Sequence, residues 1–120
     1  MRSALLVAVG GALGALSRWG VGLAAARWTT ASGLPIGTWA VNATGCFLIG
    51  LALPWVADDR LRLAAVVGFL GAFTTFSTYS ADTIALWEQG RAGWALANAF
   101  GSVAVGLAAV ALGLAAARAV

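Results

Sequence analysis

The chain has no histidine and no lysine, a single cysteine (Cys46), two prolines, and charged residues at only 9% of its 120 positions. Without an imidazole there is neither a histidine metal site nor a proton shuttle near neutrality, and no Ser/His pair for nucleophilic catalysis. One cysteine inside an apolar run excludes a disulfide within the chain and reads as packing rather than as a thiolate site. A soluble domain carries charge on about a quarter of its residues, whereas this chain has seven arginines and four acids in all and is 62% apolar. It reads as an integral membrane protein. The arginines stand singly or in pairs at the ends of apolar runs, so the net charge of +3 marks contacts with a lipid bilayer and no nucleic-acid surface.

What is present is a succession of apolar runs. They cover residues 3–26, 37–56, 63–87 and 94–117. About 20 apolar residues cross one bilayer core as a helix, so 120 residues allow four crossings in a single domain, residues 1–120, with no room for a second. The first run is too long for a signal core and is expected to be a helix of the finished protein. Polar connections are expected from Arg27 to Pro35, at Asp58 to Arg62 and at Glu88 to Gly93, with Pro54 and Trp55 near the end of the second run. Connections this short make neighbours antiparallel and put both termini on one side.

Arginine placement gives a weak orientation signal. The terminal side would hold Arg2, Arg60, Arg62 and Arg118, and the other Arg27 and Arg91, joined by Arg18 if it reaches that way. Four against two or three permits insertion in both orientations, hence an antiparallel homodimer, although the same bias is also compatible with a single orientation.

The segment GFLGAFTTFSTYSAD, residues 68–82, places Thr74, Thr75, Ser77, Thr78 and Ser80 within seven positions of an apolar run. Single hydroxyls in such helices bond the carbonyl one turn back, but Thr74, Ser77, Thr78 and Asp82 share a face and could form a polar stripe. Gly68 and Gly71 precede the cluster. A helix broken at this point would free carbonyls and amides that need a partner such as an ion, while the plainer reading is that the glycines admit a neighbouring helix. Phe76 and Tyr79 are three apart, and aromatic ring edges carry partial positive charge that can face an anion.

Asn42 in the second run offers amide donors without full charge, which suits weak anion binding as well as a contact between helices. Asn98 and Ser102, four apart, repeat that logic in the fourth run. Gly10 and Gly14 form a small-residue packing face, with Arg18 one turn later as a snorkelling or paired charge at a vestibule. A proton-coupled exporter needs an intramembrane carboxylate, and the first run has none, leaving only Asp82 and Glu88 in the third. A purely structural membrane subunit would not need a hydroxyl stripe. Hydroxyls, amides and aromatic edges without a charged ring favour a small anion.

Across the whole chain, GGALGALSRW (residues 10–19), GTWAVNATG (37–45), GFLGAFTTFSTYS (68–80), and Asn98 with Ser102, the sequence resembles the Fluc (CrcB) family of fluoride channels. The resemblance implies an all-α integral membrane protein of four transmembrane helices, the third broken mid-membrane, assembled as an antiparallel, dual-topology homodimer. It implies a fluoride-selective channel, not an enzyme, that exports F- passively across the plasma membrane of a prokaryotic cell through two pores between subunits. Asn42 matches the family's pore asparagine and Phe76 the first of two pore phenylalanines. Tyr79 stands where the second usually is, adding a hydroxyl. Ser77, Thr78, Ser80 and Ser102 fit the family's polar track, and Asn98 falls at a polar or Tyr position. Gly71 and Thr74 match the break whose carbonyls, two from each subunit, hold a central Na+, and Asp82 matches an acidic position.

Overall fold

The computed structural model describes residues 1–119, and among these it contains helix and no strand. Helix α1 is Arg2–Ser32, α2 is Ile36–Ala52, α3 covers residues 59–73, α4 is Phe76–Glu88 and α5 is Ala92–Arg118. Within α3 the turns over Arg62–Leu70 widen to π-type hydrogen bonding, and α5 does the same over Ala97–Gly101. Three stretches, Arg2–Ser32, Asp59–Glu88 and Ala92–Arg118, are long and apolar enough to cross a membrane, and Ile36–Ala52 is a shorter apolar helix of 17 residues. At 1.5 Å per residue that shorter helix spans about 25 Å, near the lower limit for a bilayer core.

Helix ends follow capping chemistry more than polarity. The expected connection over Arg27 to Ser32 is instead a continuation of α1, because Ser32 Oγ donates to the Trp28 carbonyl at 2.7 Å. The helix stops at Gly33, whose φ of 64° is left-handed and whose amide bonds the Thr29 carbonyl at 2.8 Å, a termination glycine makes without steric cost. Helix α2 ends at Ala52, before Pro54, which has no amide to continue the ladder. Asp58 caps α3 by accepting from the Arg60 amide at 2.9 Å.

Close backbone approach holds two helix pairs together. A Cβ at Gly10 or Gly14 would meet the carbonyls of Ala64 or Phe69, so α1 lies directly on α3. Likewise a Cβ at Gly50 or Gly113 would meet the carbonyls of Val110 or Phe47, which seats α2 on α5. Small residues allow the dispersion contact that associates helices in lipid, where no hydrophobic drive exists between them. Arg91 adds a clasp, donating to the Gly33 carbonyl at 2.6 Å and the Ser32 carbonyl at 3.2 Å. The loops after α1 and α4 therefore sit at one end of the bundle, and the start of α1 and the end of α5 at the other.

The surface is too large and too apolar for a soluble monomer. A chain of 12.0 kDa folded as one would expose about 6,000 Å², whereas this one exposes 7396 Å². Leu5, Leu16, Trp19, Phe76, Phe100, Leu107 and Leu112 are among the exposed apolar side chains, and the buried core is small: Ala25, Val41, Leu70, Phe73, Leu86, Ala95 and Ala117. This is a multi-pass membrane protein with its apolar groups turned outward. Trp28, Trp55, Trp87 and Trp94 stand near helix ends, as interfacial aromatics do.

Candidate functional site

Between α3 and α4 the chain is extended at Thr74 (φ −78°, ψ 159°) and Thr75 (φ −148°, ψ 115°). Gly71, by contrast, keeps helical angles. The interruption follows from Thr75 acting as the N-cap of α4, its hydroxyl accepting from the Thr78 amide at 3.2 Å. The same hydroxyl bonds Thr78 Oγ1 at 3.0 Å and lies 3.3 Å from Ser77 Oγ. Thr74 closes α3 by donating both its amide, at 3.1 Å, and its hydroxyl, at 3.0 Å, to the Leu70 carbonyl.

An interrupted helix leaves backbone groups to satisfy. Asn42 of α2 takes two of them: Thr75 N–H donates to Asn42 Oδ1 at 2.8 Å, and Asn42 Nδ2 donates to the Thr75 carbonyl at 3.0 Å. Arg18 of α1 takes a third, with Nη1 donating to the Thr74 carbonyl at 3.3 Å. Among the described residues Arg18 forms no ion pair. One amide hydrogen of Asn42 remains free after the Thr75 pairing.

A groove of about 360 Å³ opens beside this joint, and Asn42, Phe76, Tyr79 and Ser102 line it together with Gly71, Thr74, Thr75 and Cys46. Phe76 is 79% exposed, with its ring centroid 5.4 Å from that of Tyr79 and the two planes 36° apart. The Tyr79 hydroxyl donates to the Ala99 carbonyl at 2.7 Å, so its proton is turned away into α5 and the ring is what the groove receives. On the other side of Thr75 a second cavity, about 610 Å³, is lined by Arg18, Thr38, Thr78 and Asp82. Asp82 Oδ2 accepts from Thr38 Oγ1 at 2.7 Å, tying α4 to α2.

The other candidates lie elsewhere. Ser77 is exposed and lines neither cavity. Ser80 bonds back to the Phe76 carbonyl at 2.9 Å, the ordinary fate of a hydroxyl in an apolar helix. Asn98 is fully buried. Its amide donates to Thr83 Oγ1 at 2.7 Å and the Tyr79 carbonyl at 3.3 Å, and its Oδ1 accepts from the Trp39 indole and from Ser102 Oγ. Glu88, the second intramembrane carboxylate considered, is an exposed residue at the last position of α4.

The Gly71 and Thr74 carbonyls can be tested as cation ligands. The donor an unbroken helix would offer Gly71 is the Thr75 amide, which bonds Asn42 instead; the donor for Thr74 is the Thr78 amide, which bonds the Thr75 hydroxyl. Both carbonyls are thus released from helical pairing, and the described residues hold no cluster of His, Cys, Asp or Glu. Neutral carbonyl oxygens without a carboxylate suit a hard cation of low charge. The Gly71 carbonyl and the second lone pair of the Thr74 carbonyl fit Na+; the first lone pair of Thr74 is taken by Arg18, whose positive charge opposes a cation there.

Sequence comparison adds the relationships. Residues 5–114 match the family described as CrcB-like protein, Camphor Resistance (CrcB). The chain belongs to the CrcB family. Among CrcB relatives, a protein of Thermus thermophilus named fluoride-specific ion channel FluC is 49% identical over 111 residues, covering 89% of this chain and 88% of its own. Proteins of the same name from Rhizobium leguminosarum (49% over 100 residues, 77% of each chain) and Bordetella petrii (48% over 108 residues, 86% of this chain and 78% of its own) are similar as well. The span that matches the family contains every residue of the candidate site, from Arg18 to Ser102.

Four participants carry roles that sequence reasoning did not assign. Thr75 had a signal, a threonine three positions ahead of another hydroxyl at the start of an apolar run. Thr38, Trp39 and Thr83 had none, because their partners Asp82 and Asn98 lie on other helices or more than one turn away.

Proposed function

We propose that the protein is a fluoride-selective channel subunit that passes F- down its gradient and so exports the ion from the cell. The observation that carries this reading is the groove at the broken helix. There Asn42, with one amide hydrogen free, the Phe76 and Tyr79 rings and Ser102 line a space with no fixed negative charge. Fluoride sheds water only where donors and positive edges replace it, and these groups supply both while binding weakly enough to release the ion. The names of the CrcB relatives support the same ion and a channel rather than an enzyme.

The working unit in this proposal is an antiparallel homodimer with both orientations inserted and two pores between subunits. The large exposed apolar surface, with Phe76 of the groove itself 79% exposed, supports it, since a single chain does not enclose the path. A structural Na+ would be held by the Gly71 and Thr74 carbonyls of both copies, and when bound it supplies a fixed positive charge that raises the local potential for anions. Arg18, already on the Thr74 carbonyl at 3.3 Å, adds to that potential. Fluoride efflux from liposomes carrying the purified protein tests the reading: release into fluoride-free buffer without accompanying chloride release is the expected result, and liposomes as tight to fluoride as protein-free ones would refute it.

A further inference from the structure

The buried Asn98 amide stands behind the groove. Its relative exposure is 0%, and its hydrogen-bonding capacity is fully used: two N–H groups on Thr83 Oγ1 and the Tyr79 carbonyl, two oxygen lone pairs on the Trp39 indole and Ser102 Oγ. An anion needs an N–H, and here both are engaged: one on Thr83 Oγ1, the other on the Tyr79 carbonyl, which also accepts from Thr83 Oγ1 at 2.8 Å, so that turning the amide away would break a shared part-buried network. Asn98 is therefore ill placed to ligate an ion.

It is well placed for something else. Trp39 lies on α2 one turn before Asn42; Tyr79 and Thr83 lie on α4, which begins at Phe76; Ser102 is one turn beyond Asn98 on α5. The single amide thus ties together the three helices that bring Asn42, Phe76, Tyr79 and Ser102 to the groove, and it does so from within the widened turns of Ala97–Gly101. We propose that Asn98 is a positioning residue that sets the spacing of the groove's donors and ring edges, and through that spacing the discrimination between fluoride and larger anions. This rests on the fluoride-channel reading. Ser102 shows how the effect is transmitted: its hydroxyl reaches Asn98 Oδ1 at 3.3 Å, the longest contact of the four together with that to the Tyr79 carbonyl, so the O–H is held in place yet can turn its hydrogen bond to a passing anion.

The test uses Thr83, which lines neither the groove nor the second cavity. Thr83→Val keeps the volume and removes the acceptor for one Asn98 N–H; Thr83→Ser returns it. In reconstituted purified protein of normal elution profile, Thr83→Val should lower the fluoride-to-chloride flux ratio by about threefold or more, since small displacements of positioned groups have large rate effects, and Thr83→Ser should restore it. Asn98→Ala should lower it at least as far, and the double variant Asn98→Ala/Thr83→Val no further, because the two share one network. If wild type conducts fluoride and Thr83→Val matches it in ratio and rate, the positioning role is wrong whether or not Asn98→Ala folds. If wild type itself does not conduct fluoride, the channel reading fails and takes this proposal with it.

Discussion

Asn42 and Thr75, 33 residues apart, exchange two hydrogen bonds of 2.8 and 3.0 Å, the side-chain amide of one replacing the backbone partner that the other lost when the helix broke. The joint holds Thr75 extended so that its hydroxyl can cap α4, and the direction of α4 in turn decides where Phe76 and Tyr79 point. The asparagine that lines the groove is thus also the clamp of the break.

That double duty separates two substitutions. Asn42→Ala strands the Thr75 amide and carbonyl, at a cost of about 1–3 kcal/mol for each group left unsatisfied, and should lower both the melting temperature in detergent and fluoride flux. Asn42→Asp still accepts from the Thr75 amide but sets a negative charge beside the path, which opposes an anion 4 Å away by about 4 kcal/mol at an effective dielectric near 20. Flux should then collapse while the melting temperature falls less than for alanine. Equal flux loss with equal stability loss in both variants would reduce Asn42 to a structural clamp.

Phe76 is the most exposed of the groove's large apolar residues and its side chain has no hydrogen-bond donor, so any part it plays comes from its ring. Phe76→Ile retains bulk and apolarity and removes the positive edge. Fluoride efflux should drop by about tenfold or more while size-exclusion still reports an intact assembly, taking a lost ring interaction as worth 1.4 kcal/mol or more. An assembled Phe76→Ile protein that conducts at the original rate would leave the hydroxyls and Asn42 to carry the ion.

Tyr79 carries an extra hydroxyl, but that proton is on the Ala99 carbonyl at 2.7 Å. Tyr79→Phe should therefore leave fluoride flux within about twofold and cost about 0.5–1.5 kcal/mol of stability, the net value of one hydrogen bond. A large gain or loss in flux at unchanged stability would mean that the hydroxyl faces the ion during passage.

The four apolar runs were legible because only Arg18 and Asp82 interrupt them, and the hydroxyl-rich segment drew attention to residues 68–82. Local pattern could not locate the joint within it. Glycine was read as the point of weakness, yet Gly68 is buried on α1 and Gly71 stays helical, while the extended residues are two β-branched threonines fixed by a cap and by Asn42. The groove was legible as a set of residue types. Its second tier was not: Thr38 with Asp82, Trp39 with Asn98 and Arg18 with the Thr74 carbonyl are separated by 44, 59 and 56 residues, and such pairings arise only once α1, α2, α4 and α5 are packed. Helix ends were misread at Arg27 to Ser32 because polarity there reflects the membrane boundary, whereas the helix itself runs on to its glycine cap.

Insertion in both orientations gives a prediction independent of any side chain in the groove. A small tag at the C-terminus, next to Arg118, should be found on both faces of the membrane in comparable amounts by accessibility labelling of intact and permeabilised cells. Adding two arginines to the loop at residues 33–35 should bias the population toward one face, since orientation follows basic residues in short loops, and should depress flux in proportion. A tag accessible from one face alone in the unaltered protein would exclude the antiparallel dimer.

The two glycines of α3 give the sharpest test of the proposed cation site. A Cβ on Gly68 would lie 2.8 Å from the Val7 carbonyl oxygen and 3.1 Å from Gly10 Cα, both rigid backbone, so Gly68→Ala must push α1 and α3 apart. Overpacking of this kind costs about 1–3 kcal/mol, and the variant should melt lower and assemble poorly. A Cβ on Gly71 would meet nothing nearer than the Val66 carbonyl at 3.7 Å, an ordinary contact, and its helical angles suit alanine. Within one chain, therefore, Gly71→Ala should be neutral or slightly stabilising. If the Gly71 carbonyl faces a second copy across a shared Na+, the added methyl crowds that approach, and assembly, together with the protection Na+ gives against thermal unfolding relative to N-methyl-D-glucamine, should be lost while the helix content of the chain is kept. Gly71→Ala protein that assembles and responds to Na+ as wild type does would place the cation, and the contact between copies, somewhere other than this joint.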